Sequence, residues 1–351
     1  HFDKRGQESG SAIVYFVKMV KAQKYVIDKP FSGLPTDENI KLVEEELPPL
    51  KDGEVLFEAQ YLSVDPYMRP YLAGAASGTQ MIGEQLGKVI ESKNKDFAVG
   101  SLYLLHAGWR TFSVINPAVH GEALRLKPVK EYPGVPLSLS LGTLGMPGAT
   151  AYLGLIELLK PKAGDVVLVN AAAGAVGHVV GQVAKIKGAK VIGCASTPEK
   201  CAWLKELGFD VVFNYRTEKV GDILTKNAPN GVNCYFDNVG GEFSDVVVRD
   251  HLAQFGRVAI CGSIATYNTE PYKAPLWNLP LLRKCASVQG FIVYSNFTTE
   301  QWTAAFDQMS KWISEGKLKY REHITEGFGN MRKAFYELFS SDNTGKAVIK
   351  A

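Results

Sequence analysis

Residues 166–177 have the sequence VVLVNAAAGAVG. The first five form a short apolar run that predicts a buried strand, and residues 176–187 have the pattern of a helix. The segment between them, residues 171–177, is called the glycine loop here. It is a variant of G-x-G-x-x-G with Ala at the first turn position, so its backbone N–H groups can approach a pyrophosphate at a helix N-terminus. The pattern predicts a dinucleotide site, against the alternative of an ordinary tight turn.

Strands and helices alternate downstream of the glycine loop. Strands are predicted at 190–194, 211–213, 234–237 and 257–261, with a helix at 199–207. This alternation is typical of a parallel, doubly wound α/β sheet. Helices are also predicted at 149–159, 301–315 and 331–340, with a last strand at 346–350.

The sequence before the glycine loop has a different pattern of apolar and polar residues. Residues 20–140 contain short alternating stretches, such as 54–64 and 88–92, separated by Gly and Pro. They predict a β-rich, barrel-like domain. Gly142, Gly145 and Gly148 mark the change from one part to the other.

The end of the second predicted strand bears on which dinucleotide binds. NAD sites usually place Asp or Glu there to accept from the ribose 2′-OH, but this chain has Cys194-Ala195-Ser196-Thr197. Lys200 follows, and Tyr215 and Arg216 come after the third strand. Without the carboxylate a 2′-phosphate is not repelled, so the sequence favours NADPH or NADP+. The alternative is that Lys200 is an ordinary solvated lysine.

Charge and cysteine content exclude several classes of protein. Lys and Arg total 39 against 36 Asp and Glu, and the net charge of +3 gives no electrostatic reason to expect nucleic acid as a partner. The 5 cysteines include no C-x-x-C pair, so we expect reduced thiols. No apolar run reaches the roughly 20 residues of a membrane span. We therefore expect a soluble, cytoplasmic protein.

The same cysteines bear on metal chemistry. A zinc alcohol dehydrogenase takes Cys or His ligands partly from its N-terminal domain, whereas the first cysteine here is Cys194 and the histidines are scattered. There is no H-E-x-x-H and no G-x-S-x-G. The prediction is hydride chemistry without a metal.

Residues 1–18 are interpreted separately. They lack the apolar core and cleavage site of a secretory signal, and Tyr15-Phe16 just before Met19 is consistent with a cleavable expression tag. We expect a tag or leader here, with the native chain starting at Met19.

Five motifs in order resemble one family. They are VDPYMR (64–69), GMPGATAY (145–152), the glycine loop, FDNVGG (236–241) and CGSIATYN (261–268). Together they resemble the zinc-independent medium-chain dehydrogenase/reductases, in particular the prostaglandin reductases or leukotriene B4 12-hydroxydehydrogenases, from about Met19 to Ala351. The resemblance implies a GroES-like catalytic domain at 19–141, an inserted Rossmann domain at 142–318 and a return to the catalytic domain at 319–351.

The resemblance also implies an activity and a set of contacts. The activity is NADPH-dependent reduction of the α,β double bond of enones and enals, including 15-oxo-prostaglandins and lipid-peroxidation aldehydes, by a homodimer joined through its Rossmann sheets. Segment 268–289 is harder to match and borders the substrate pocket, which leaves substrate preference open. The implied cofactor contacts are Gly174, Ala175, Val176, Gly177, Lys200, Tyr215, Asn238, Cys261, Gly262, Ser263, Ile264, Ala265, Thr266, Tyr267, Phe291, Ile292, Val293 and Asn343.

Reduction without a metal requires hydrogen-bond donors for the enolate oxygen. Tyr267, beside the cofactor loop, is the first candidate for a catalytic residue, and Tyr67 from the other domain is the second. Tyr67 and Arg69 are candidates for substrate binding, with Arg69 drawing in a carboxylate. The alternative for each tyrosine is a half-buried ring with a structural partner. The alternative functions are a quinone reductase of the same superfamily and a non-catalytic NADPH-binding protein.

Overall fold

The computed structural model describes residues 19–269, 276–340 and 342–351. The predicted tag at 1–18 therefore lies outside the described residues. The first part of the chain is made mainly of strands. These are β1 (Val20–Ile27), β2 (Ile40–Leu47), β3 (Val55–Ser63), β4 (Gln85–Ser92), β5 (Leu102–Leu105), β6 (Phe112–Ile115) and β7 (Lys127–Pro128), with helices α1 (Met68–Tyr71) and α2 (Pro117–His120) and a 3-10 helix at Leu137–Leu141.

The central part alternates helices and strands, and the last part returns to strands. The central strands are β8 (Val166–Val169), β9 (Lys190–Ala195), β10 (Val211–Asn214), β11 (Val232–Asp237), β12 (Leu252–Ile260) and β13 (Ser287–Gly290). The helices are α3 (Met146–Leu153), α4 (Gly177–Ile186), α5 (Pro198–Glu206), α6 (Val220–Asn227), α7 (Gly241–Asp250), α8 (Asn278–Lys284), α9 (Val293–Asn296) and α10 (Thr299–Ser314). They are followed by β14 (Glu322–Glu326), α11 (Met331–Ser340) and β15 (Lys346–Lys350).

The central strands form a parallel sheet in the order β10-β9-β8-β11-β12-β13. Successive residues of β8 face opposite sides. Val167 and Val169 pack in one apolar cluster, whereas Leu168 packs in another. Burial on both faces explains why this strand is a continuous apolar run. The strand order reverses between β8 and β11, so a crevice lies at their carboxyl ends. The predicted doubly wound sheet is confirmed.

The remaining strands join the two ends of the chain in a second sheet. Its order is β14-β15-β3-β4-β5-β7, with β6 paired to β3. The chain thus leaves the β-rich part, builds the parallel sheet and returns, with Val348 opposite Ser63. This is the predicted GroES-like domain interrupted by a Rossmann sheet. We propose that the boundaries lie at 141/142 and 318/319, because Leu141 packs with Val348 and Leu318 packs in the core of the parallel part.

The predicted helix at 149–159 differs from the observed one. It begins at Met146, and its second half, Gly154–Leu159, is π-helical. A side chain at Gly154 would place its Cβ 2.6 Å from Cζ of Phe291 and 2.8 Å from Cε2 of Phe236. Glycine at this position therefore lets the helix approach the sheet beside the residues that follow β13.

Candidate active site

The glycine loop is tightly packed on the protein side and open on the other. A Cβ on Gly177 would lie 2.5 Å from the carbonyl oxygen of Ala171, so the first residue of α4 has to be glycine. The first N–H groups of α4, which begins at Gly177 after the N-cap residue Val176, have no acceptor within the helix. Unpaired N–H groups at a helix N-terminus bind anions, so the loop fits the pyrophosphate of a dinucleotide.

A buried histidine and the C-terminal segment hold this loop. Nδ1 of His178 donates to the carbonyl oxygen of Gly174 over 2.7 Å, and burial lowers the pKa of His178 to about 4, so the ring is neutral. The N–H of Gly345 donates to the carbonyl oxygen of Ala173 over 2.9 Å. This contact brings Asn343, a predicted cofactor residue, alongside the loop.

Most of the predicted cofactor residues lie at one edge of the parallel sheet. Each follows the carboxyl end of a strand, where ligands bind in doubly wound folds. Residues 174–177 follow β8, Lys200 follows β9, Tyr215 follows β10, Asn238 follows β11, residues 261–267 follow β12 and residues 291–293 follow β13.

The end of β9 carries the positive charge that a 2′-phosphate requires. Burial lowers the pKa of Lys200, nearby Asp342 opposes that effect, and the positive charge of Arg216 adds to it. The N–H of Tyr215 donates to the carbonyl oxygen of Ala195 over 3.2 Å, which joins the turn after β10 to the end of β9. Two cations therefore face the position where NAD sites carry an acid, and the residues fit NADPH better than NADH.

A buried polar network supports the loops at this edge. Nδ2 of Asn170 donates to Oδ1 of Asp237 over 2.8 Å and to the hydroxyl of Tyr235 over 2.7 Å. Asp237 also accepts from the N–H of Gly240 over 2.9 Å, and its carbonyl oxygen accepts from the N–H of Cys261 over 2.8 Å. The sequence indicated this segment only through the motif FDNVGG, and its supporting role was missed.

The hydroxyl group of Tyr267 contacts the loop that carries this residue, and its proton can be donated to a ligand. The oxygen accepts the N–H of Ser263 over 3.2 Å, and no acceptor for the phenolic proton lies among the residues that the structure describes. Burial raises the pKa of Tyr267, so the phenol keeps its proton, and Tyr71 is among the groups that act on that pKa.

Tyr67 immediately precedes α1 and packs edge-on against Tyr71, with 5.6 Å between ring centres. Burial raises its pKa well above the ordinary value, and the negative charges of Asp65 and Glu84 add to the rise. Tyr71 thus packs against Tyr67, and it is also among the groups that raise the pKa of Tyr267. Sequence reasoning missed Tyr71, although its i+4 spacing from Tyr67 was a usable signal.

The Arg69 side chain contacts other residues of the β-rich part. It is 5% exposed, Nη2 donates to the carbonyl oxygen of Gly33 over 3.1 Å, and the guanidinium lies 4.7 Å from the ring centre of Phe31. Burial lowers the pKa of Arg69, and its Nε has no hydrogen-bond partner among the described residues. In this conformation the guanidinium contacts the 31–33 loop, and substrate binding by Arg69 stays a prediction.

Sequence reasoning also missed Tyr294, which directly follows the predicted cofactor segment 291–293. Burial raises its pKa, and Glu84 and Tyr67 contribute to the rise. Its hydroxyl lies 3.0 Å from Nε2 of His106, so Tyr294 reaches the β-rich part of the chain.

Comparison with known proteins agrees with this geometry. Residues 23–121 match the family described as the N-terminal domain of oxidoreductase, and residues 175–312 match the zinc-binding dehydrogenase family. Prostaglandin reductase 1 of Bos taurus is 50% identical over 336 residues, which cover 95% of this chain and 100% of that protein. The chain belongs to the prostaglandin reductases of the medium-chain dehydrogenase/reductase family. The resemblance inferred from the motifs is thereby confirmed.

More distant medium-chain reductases share the whole fold. The NADPH-dependent curcumin reductase of Escherichia coli (strain K12) is 36% identical over 341 residues, covering 93% of this chain and 96% of that protein. The crystal structure of CurA in complex with NADPH from Vibrio vulnificus has a TM-score of 0.86 at 35% identity, covering 94% of this chain and 99% of that one.

The described ranges contain neither a group of metal ligands nor a membrane-spanning helix. In residues 19–269, 276–340 and 342–351, no group of three or more His, Cys, Asp and Glu side chains is placed to hold a metal ion. Within the same ranges, no helix is both long and apolar enough to cross a lipid bilayer.

Proposed function

We propose that this medium-chain reductase reduces the α,β double bond of enones and enals with NADPH. The observation that supports the proposal is a pair of buried phenols that keep their protons, Tyr267 in the loop after β12 at the carboxyl edge of the parallel sheet and Tyr67 just before α1. The protein is an NADPH-dependent alkenal/one oxidoreductase. When bound, NADPH supplies the hydride that reaches the β-carbon of the substrate.

The two tyrosines stabilise the charge that develops on the substrate oxygen. Burial raises the pKa of both phenols, so each stays protonated and donates a hydrogen bond. A donor fixed before the reaction stabilises an oxyanion without reorganisation, which is why such groups contribute strongly to rate. The N–H of Ser263 fixes the position of the Tyr267 hydroxyl oxygen.

The substrate class includes both carboxylated and neutral compounds. We propose that 15-oxo-prostaglandins are bound through Arg69, which is buried and whose Nε has no hydrogen-bond partner in the described part of the chain. Lipid-peroxidation aldehydes such as 4-hydroxynonenal lack the carboxylate and do not use this contact. The prostaglandin reductase relatives support the first class of substrate.

Assembly and location belong to the same proposal. We propose a homodimer joined along β13, which is the last strand of the parallel sheet and pairs with no strand on its outer side among the described residues. Leu276, just before α8, and Leu282, within it, are 88% and 73% exposed, which is consistent with burial by a partner.

The five free cysteines support a reducing, cytoplasmic location.

The test follows NADPH oxidation with a 15-oxo-prostaglandin, 4-hydroxynonenal and a quinone, with NADH as an alternative cofactor and with EDTA present or absent. We expect NADPH-selective, EDTA-insensitive turnover of the enone and the enal. Turnover of the quinone alone would identify a quinone reductase. NADPH binding without any turnover would identify a non-catalytic protein, and loss of activity with EDTA would overturn the metal-free mechanism.

A further inference from the structure

A hydrogen bond joins the two parts of the chain. Nε2 of His106, just after β5, lies 3.0 Å from the hydroxyl of Tyr294 on α9. The two rings meet edge-on with 5.4 Å between their centres. Neither residue has a part in the function proposed above, and the contact joins the catalytic and cofactor-binding sides of the site.

A buried carboxylate accompanies this pair. Oε1 of Glu84 lies 3.5 Å from the same Nε2 of His106, and the Glu84 side chain is only 7% exposed. A carboxylate beside an imidazole fixes the ring's orientation and compensates its positive charge when it carries two protons. Because Glu84 and the Tyr294 hydroxyl both face Nε2 of His106, the carboxylate can stabilise a positively charged imidazole, and the proton passes between that nitrogen and the phenol.

Burial raises the pKa of Tyr294, and Glu84, Tyr67 and Asp65 add to the rise, so the phenol holds its proton until an acceptor is present. Arg125 opposes that rise, and its guanidinium carbon lies 3.8 Å from the centre of the Tyr294 ring. Asp65 is already paired with Lys346 at 2.8 Å, so Arg125 is the cation placed to stabilise a tyrosinate.

The other side of His106 faces a route to solvent. A cavity of about 330 Å³ is lined by His106, Met81, Ile82, Arg110, His120 and Leu124. The His106 side chain is 21% exposed. Its ring can therefore exchange protons with water.

We propose that Glu84, His106 and Tyr294 form a proton relay that completes the reduction. This inference rests on the proposed function, because hydride transfer to the β-carbon leaves an enolate that needs a proton at its α-carbon. The enolate electron pair forms the new C–H bond with the Tyr294 proton while the carbonyl re-forms. Nε2–H of the doubly protonated His106 imidazolium then returns a proton to the Tyr294 oxygen, which leaves a neutral imidazole with its proton on Nδ1, and Nε2 is protonated again by water from the cavity. Tyr294 is the catalytic residue of the relay, and His106 and Glu84 act through it.

The test compares Tyr294→Phe and His106→Gln with the wild type and with His323→Gln. The last is the matched control, because His323 is a partly exposed residue of β14 near Glu337. We expect each relay variant to lower kcat about 10²-fold with KM for NADPH unchanged. The double variant should lose no more than either single variant, because the two residues act in series.

Two readouts separate a relay from a structural contact between the domains. Wild-type kcat should depend on pH and should show a solvent deuterium isotope effect, and His106→Gln should lose both. Unchanged pH dependence and isotope effect in His106→Gln would overturn the relay, as would a KM increase with unchanged kcat. If that variant does not fold, Glu84→Gln is measured in the same way. If the wild-type protein oxidises NADPH with neither an enone nor an enal as substrate, the proposed function and the relay are both overturned.

Discussion

Nζ of Lys346 lies 2.8 Å from Oδ1 of Asp65, and both side chains are buried. The same Nζ donates to the carbonyl oxygen of Val64 over 2.7 Å. This pair connects β15, near the end of the chain, to the segment that carries Tyr67. The ion pair therefore helps to fix the backbone that leads into Tyr67.

We expect Lys346→Met to lower the free energy of unfolding by about 3–5 kcal/mol, because it leaves the Asp65 carboxylate buried without its cation. Denaturant unfolding measures the change. Lys350→Met, on the same strand, is the control, because Lys350 is largely exposed and pairs with the exposed Glu326. Equal effects of the two substitutions would contradict this role for the buried pair.

Lys200→Gln should raise KM for NADPH about 10- to 100-fold, because it removes a charged hydrogen-bond donor for the 2′-phosphate. KM for NADH should stay unchanged, since NADH carries no such phosphate. Steady-state kinetics with both cofactors checks this. Lys205→Gln, an exposed position on the same helix, is the control. A parallel loss with NADH would mean that Lys200 acts on the fold and not on the phosphate.

Tyr267→Phe should lower kcat on an enone about 10²- to 10³-fold, because it removes one donor to the oxyanion while keeping the ring. NADPH affinity should change little. The matched control is Tyr103→Phe, whose ring packs against Phe57 and Phe97 away from the site. Full kcat in Tyr267→Phe would remove this residue from the mechanism.

Arg69→Gln should raise KM for a 15-oxo-prostaglandin about 10-fold or more while leaving KM for 4-hydroxynonenal unchanged, because only the first substrate has a carboxylate. The comparison of the two substrates within one variant controls for a general effect on folding. Equal losses on both substrates would show that the contacts with Gly33 and Phe31 are the whole role of Arg69.

Stability should fall in mild acid because of His178. Its pKa is lowered from the usual 6.5 to about 4 in the folded state, so the unfolded chain binds the proton more readily. The stabilisation is present above pH 6.5 and is lost as pH falls toward 4, by about 3 kcal/mol in total. Denaturant unfolding across this range measures the slope. His178→Gln should reduce the slope, and an unchanged slope would assign acid sensitivity to other groups.

Local sequence was sufficient to predict five of the six strands of the parallel sheet. Val166–Val169 and Lys190–Ala195 are recognisable because strands buried on both faces are apolar throughout. The strands β2 and β13 were not predicted. Ser287–Gly290 is a polar edge strand with little burial, and its pairing with β12 depends on tertiary contacts such as Ser287 opposite Arg257.

The candidate site divides in the same way. The glycine loop and the motifs around Asn238 and Tyr267 are contiguous in sequence, so the sequence alone indicated them. His106 and Tyr294 are 188 positions apart, and only the packing of the two domains brings them together. Glu84 and Arg125 belong to neither motif, and no local pattern marks them as neighbours of Tyr294.

The return of the chain to its first sheet has a consequence for biosynthesis. β3 pairs with β15, and Gly345 contacts the glycine loop, so residues 345–350 complete both halves of the site. During synthesis the central parallel sheet can fold while the portion made earliest still lacks a strand. The N-terminal part therefore stays incomplete until β15 has been made.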